Sequence, residues 1–124
     1  MNLTFYVCEH CGNLIQFVEN KGVPVMCCGQ KMTALTANTT DAAQEKHVPV
    51  VKADGRTVSV CVGSAAPPMT EEHSIKWVAL QTKEGCQIKM LSPNAAPEAQ
   101  FCLSENDSVE AVYAYCNLHG LWKA

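Results

Sequence analysis

The feature that most constrains this chain is a cluster of four cysteines within 21 residues near the N-terminus, Cys8-x2-Cys11 followed by the adjacent pair Cys27-Cys28. Around them, residues 3–35 read as short extended pieces separated by turns: LTFYV, CEHCG, NLIQFVE, the turn NKG, VPVM and CCGQ. A segment of this size buries too little to fold alone, whereas a metal held by thiolates supplies folding free energy directly. Site and local fold are therefore expected to be one object, with Cys8, Cys11, Cys27 and Cys28 as its ligands. Glycine after each pair, at Gly12 and Gly29, permits the tight turns that bring backbone amides to the sulfurs.

Four thiolates select iron or zinc among the common metals, and spacing does not choose between them. Adjacent cysteines are uncommon in zinc ribbons, which favours a rubredoxin-type iron. A thioredoxin-like reading of CEHC would need the strand-to-helix junction of a βαβ unit, which the sequence lacks. His10, between two ligands, is expected at the surface.

The chain has eight cysteines and starts MNLTFYVCEHCG, without the charged and apolar regions of an export signal. A reducing, cytoplasmic setting is expected, in which paired cysteines hold metal rather than form disulfides. Cys61, Cys86 and Cys102, each isolated in an apolar strand-like run, are expected to be small buried hydrophobes. A net charge of -3, with nine Lys and Arg and no basic run, leaves no footprint for nucleic acid. No apolar stretch approaches the ~18 residues needed to span a bilayer.

Thr36 to Gln44, TANTTDAAQ, is small, polar and aperiodic and reads as a linker. It separates an N-terminal unit, 1–36, from a C-terminal one, 45–124, with 37–44 between. The second unit carries strand-like runs: HVPVVK, TVSVCV after Asp54-Gly55, SIKWVALQT, CQIKML after Glu84-Gly85, AQFCL and VEAVYAY. Their spacing predicts an antiparallel β-sandwich, and no helix-period segment of ten residues occurs, so the fold class is all-β.

Three histidines and a cysteine in that unit form a second constellation: Glu45-Lys46-His47 opening a strand, His73 after MTEE, and Cys116-Asn117-Leu118-His119. Each histidine alone is more often a solvated or satisfied side chain, but Cys-x2-His is good chelate spacing. Imidazole with thiolate suits iron, copper or zinc.

These residues resemble the desulfoferrodoxins, two-iron superoxide reductases, over essentially the whole chain. The resemblance rests on CEHCGN and CCG, then on EKHVPV, PMTEEHSIKW, APEAQFC and YCNLHGLWKA. It implies a desulforedoxin-like four-cysteine iron domain followed by an immunoglobulin-like sandwich with a catalytic iron, held by four equatorial histidines and an axial cysteine. His47, His73 and His119 match equatorial positions and Cys116 the axial thiolate. The fourth histidine is missing: where the family has His-Pro-Met, this chain has Pro67-Pro68-Met69.

The resemblance further implies one-electron reduction of superoxide to hydrogen peroxide, a rubredoxin-like electron donor and a homodimer. Lys46 would attract superoxide and help supply a proton, and Glu45 would occupy the sixth position of oxidised iron. The alternative is an electron-transfer protein or scaffold whose second site is non-functional or holds zinc.

Overall fold

The computed structural model describes residues 3–124, and the chain divides into two compact units, Met1–Thr36 and Ala37–Ala124. The fold is nearly all β, as expected, and every strand pair is antiparallel.

In the first unit the strands are two or three residues long. β1 (Phe5–Val7) pairs with β2 (Leu14–Gln16) and, on its other side, with β5 (Thr33–Ala34). β3 (Met26–Cys27) and β4 (Gln30–Lys31) form a separate hairpin. The two residues of its turn, Cys28 and Gly29, both have positive φ, 52° and 74°. A two-residue hairpin of this twist requires that conformation, which glycine adopts freely and cysteine does not. Few side chains are buried here, chiefly Leu3, Phe5, Cys8 and Met32, while Val18 and Val23 face solvent.

The second unit is a sandwich of two sheets. The three-stranded sheet has the order β10 (Glu98–Cys102), β7 (Thr57–Val62), β6 (Pro49–Asp54). The four-stranded sheet has the order β12 (Gly120–Lys123), β11 (Val109–Cys116), β8 (Ile75–Thr82), β9 (Cys86–Met90). Alternation builds the core: Val58, Val60 and Val62 of β7 point inward onto Val78, Leu80, Phe101, Val112 and Ala114. Each such side chain contributes about 1.5–3 kcal/mol over its exposed state. Where the two sheets meet at their edges, Lys89 and Gln87 of β9 donate side-chain hydrogen bonds to the carbonyls of Gln100 and Cys102 on β10.

The structure departs from the sequence reading in three places, and the stretch read as a linker makes bonds of its own. His47 does not open a strand: Gln44–His47 form one helical turn, α1, closed by Val48 N–H donating to Gln44 O at 2.9 Å, and β6 starts at Pro49. One turn is too short to show a helical period. The stretch 37–44 is tied down at Asn38, whose backbone N–H donates to Leu121 O and whose side chain bonds both N–H and C=O of Lys123. β12, over GLWK, was not anticipated. Cys61, Cys86 and Cys102 are exposed rather than buried. Cys61 is out of phase with Val60 and Val62, and Cys102 with Phe101 and Leu103, so the pleat turns both outward.

Candidate metal centres

The first unit gathers the four cysteines that the sequence singled out. The Sγ atoms of Cys8, Cys11, Cys27 and Cys28 all lie within 4.8 Å of one another, with Cys11 and Cys27 3.6 Å apart. A tetrahedron of thiolates with bonds of about 2.3 Å has sulfur–sulfur edges of about 3.8 Å, so the set fits one ion. Two turns place it. The first is closed by Gly12 N–H donating to Cys8 O and Cys8 N–H donating to Asn13 O, both at 2.8 Å; the second is the Cys28-Gly29 hairpin.

Backbone amides face the sulfurs: Cys11 N–H lies 3.5 Å from Cys8 Sγ, and Asn13 N–H 3.4 Å from Cys11 Sγ. The Cys11 amide, with that of His10, holds the Cys8 thiol down at about 6. The Cys28 thiol is pushed up to about 12, by its hydrogen bond with Cys11 and then by burial. Asn13 was not singled out in the sequence, although its side-chain Nδ2 also reaches Cys27 Sγ at 3.6 Å. His10 is exposed, as expected.

The second unit brings together His47, His73, Cys116 and His119, again with donor atoms within 4.8 Å. They come from three places: the end of α1, the loop before β8, and the end of β11 with the turn that follows it. His47 and Cys116 are buried. His47 Nδ1 is bonded to Ala43 O at 2.6 Å, which makes Nδ1 the protonated nitrogen and leaves Nε2 as the acceptor. That Nε2 lies 3.0 Å from His119 Nδ1, which is itself 3.8 Å from Cys116 Sγ. His73 Nε2 is buried and has no hydrogen-bond partner. Burial lowers the His73 pKa, and the neighbouring His119 and His47 lower it further, favouring the neutral imidazole that ligates metals.

Three imidazole nitrogens and a thiol with donor atoms within 4.8 Å of one another fit a borderline metal such as iron or zinc, and the donor set does not choose between them. Trp122, unremarked in the sequence, braces two of the four: its ring stacks on His47 at 4.9 Å and 22°, and its Nε1–H donates to His119 O at 3.1 Å. No local pattern could have revealed it, because its partner His47 is 75 residues away in the chain.

The other residues singled out behave differently. Glu45 and Lys46 are exposed on α1, and among the described residues no hydrogen bond joins them to the four donors. Pro67 is buried. Its loop is fastened at one end by Ala65 N–H to Glu45 O, 2.8 Å, and at the other by Thr70 N–H to His73 O, 2.9 Å. It thus runs from the segment bearing His47 to the one bearing His73, and its proline offers no donor. No helix among the described residues is long and apolar enough to cross a membrane.

Comparison with known proteins agrees with this geometry. The family model for desulfoferrodoxin matches residues 39–124. The chain is 42% identical to a desulfoferrodoxin of Clostridium acetobutylicum over 99% of its own length and 96% of the relative's. It is 43% identical to that of Nitratidesulfovibrio vulgaris, over 96% and 93%. Its fold matches the crystal structure of the superoxide reductase from Treponema pallidum with a TM-score of 0.85 and 42% identity, covering 100% of this chain and 99% of that one. A superoxide reductase from Giardia intestinalis matches with a TM-score of 0.54 and 35% identity over 64% of this chain and 95% of that one. Fold, both cysteine and histidine clusters, and near full-length identity lead to one conclusion: this chain belongs to the desulfoferrodoxin family.

Proposed function

We propose that this protein is a superoxide reductase that uses iron held by His47, His73, His119 and Cys116, with a second iron on Cys8, Cys11, Cys27 and Cys28. Residues 1–36 would then be the four-thiolate unit and 45–124 the catalytic one. The observation that carries the reading is the buried, unpartnered Nε2 of His73 beside His47 Nε2 and His119 Nδ1, whose own partner is only each other at 3.0 Å and, for His119, the Cys116 sulfur. Leaving the buried His73 nitrogen unsatisfied beside two further imidazoles and a thiol, without a common ligand, is costly. The names of its relatives supply the substrate.

Bound iron would supply the one electron that superoxide needs; with two protons the product is hydrogen peroxide. The chain's own residues supply the surroundings. Lys46 is exposed one residue before His47, on a protein of net charge -3. A local cation there draws an anionic substrate and can raise the encounter rate at least about 10-fold. The same ammonium would pass a proton through water. Glu45, on the same turn, would offer its carboxylate to a metal held there. A rubredoxin-like protein as electron donor, a homodimeric state and a cytoplasmic setting complete the proposal.

Pro67 favours a second reading, in which the first centre transfers electrons and the sandwich holds a weakened or zinc-bearing site. Iron and zinc per chain, measured after anaerobic purification from iron-supplemented cells, separate the two. Two irons per chain, with superoxide consumption coupled to donor oxidation, support the reductase; one iron with zinc or nothing beside it refutes it. Pro67→His should raise second-site iron occupancy and superoxide consumption together.

A further inference from the structure

Asn117 lies in the turn between Cys116 and His119, yet its side chain is engaged elsewhere. Its Oδ1 accepts from Ser74 N–H at 3.0 Å and its Nδ2 donates to Glu72 O at 2.8 Å. Its backbone N–H also donates to Ser74 O, at 3.3 Å. All three bonds fall on the residues immediately before and after His73. A carboxamide can accept and donate at once in one plane; a carboxylate can only accept.

The His73 turn is closed from its other side by Thr70. The Thr70 hydroxyl accepts from His73 N–H at 3.1 Å, and Thr70 N–H donates to His73 O at 2.9 Å. The backbone of His73 is thus pinned from both directions while its imidazole Nε2 is left without a partner. His73 comes from the loop before β8, whereas Cys116 and His119 flank Asn117 directly. The three Asn117 bonds therefore tie the loop that carries one donor to the turn that carries two.

We propose that Asn117 is a positioning residue of the second centre, holding His73 against the Cys116 and His119 pair so that these three donors are assembled before the metal arrives. The inference rests on reading this cluster as a metal site. Partners that orient ligands typically govern metal affinity by 10–100-fold, because a loose donor must be ordered on binding.

The test uses the full chain, stripped of metal, loaded anaerobically with iron(II), then challenged with chelators of graded strength while iron per chain is measured. Asn117→Ala should retain the first iron equivalent with an unchanged spectrum. It should hold the second about 10–100-fold more weakly, with a broadened or shifted ferric paramagnetic resonance signal. Asn117→Asp keeps the acceptor for Ser74 N–H, loses the donor to Glu72 O, and should fall between. If the alanine variant does not fold, Asn117→Asp and Asn117→Ser carry the same comparison.

A purely structural Asn117 would lower the melting temperature of metal-free and loaded protein alike, leaving the second equivalent's affinity and signal as in the wild type. That result overturns the proposal. A wild-type chain that takes up no second equivalent overturns the metal-site reading itself, and the role of Asn117 with it.

Discussion

The two centres use the same number of protein donors and are built in opposite ways. In the first unit the strands flanking the sulfurs span two or three residues, Cys11 and Cys28 are exposed, and Cys28 sits in a left-handed conformation that cysteine disfavours. In the second, the donors lie at the rim of a sandwich with a hydrophobic core of its own, to which Cys116 itself belongs, and His47 and Cys116 are 2% and 1% exposed. The difference teaches what a metal contributes in each place. In one an ion would substitute for a core; in the other a core sets out the donors.

The sharpest way to break this contrast is to remove the metals. Chelation of the loaded protein should abolish amide-exchange protection across residues 1–36 and leave β7, β8 and β11 protected. Structural zinc in small finger domains contributes about 10–16 kcal/mol to folding, which sets the scale for an ion that stands in for a core. Equal loss of protection in both units would mean that the sandwich, too, depends on its ion.

Trp122→Ala probes the opposite side of the comparison. The residue is fully buried and stacks on His47. Its loss should lower the unfolding free energy of the metal-free second unit by about 3–5 kcal/mol, read by denaturant titration. A smaller loss would say that the core leans on the metal after all.

Gly63→Ala tests how tightly the loop leading to Pro67 is tied to α1. At φ 80° a Cβ would lie 2.6 Å from Ala65 O and 2.8 Å from Glu45 O. About 1–3 kcal/mol of strain should result, seen as a lower melting temperature together with weaker retention of the second iron.

The smallest effect is expected at Asp107, in the connection between β10 and β11. Burial would raise its carboxyl pKa, but the Thr82 hydroxyl and the amides of Ser108 and Glu84 prevail and lower it. A depressed carboxyl stabilises the fold above the ordinary carboxylate range, about pH 4, and that contribution disappears as pH falls through the folded value. Asp107→Asn should therefore flatten the acid limb of the stability curve and leave both irons in place at neutral pH.

Much of each centre was legible because its chemistry is local in sequence. Cys8-x2-Cys11, Cys27-Cys28 and Cys116-x2-His119 each put two donors on one turn. Fold class was legible from alternation, as in TVSVCV, where every second residue is buried. The exposure of Cys61 and Cys102 lay in that same alternation, had phase been weighed above residue type. What could not be read is what joins distant segments. Asn117 bonds Glu72 and Ser74 across 45 and 43 residues, and Asn38 bonds Lys123 across 85. An asparagine carries no mark of where its amide will point. The helical turn at Gln44–His47 was missed for the opposite reason, since four residues cannot display a period.

The bonds from Lys89 and Gln87 to the carbonyls of β10 bear on how this protein behaves in a crowd. An edge strand with free carbonyls is a template for any other extended chain, and so a seed for aggregation. Here two of those acceptors are already occupied by side chains from the facing sheet, and one of the donors is a lysine, whose charge also repels a second copy of the same edge. The carbonyls of Gln100 and Cys102 are thereby withdrawn from strand addition on this flank of the sandwich.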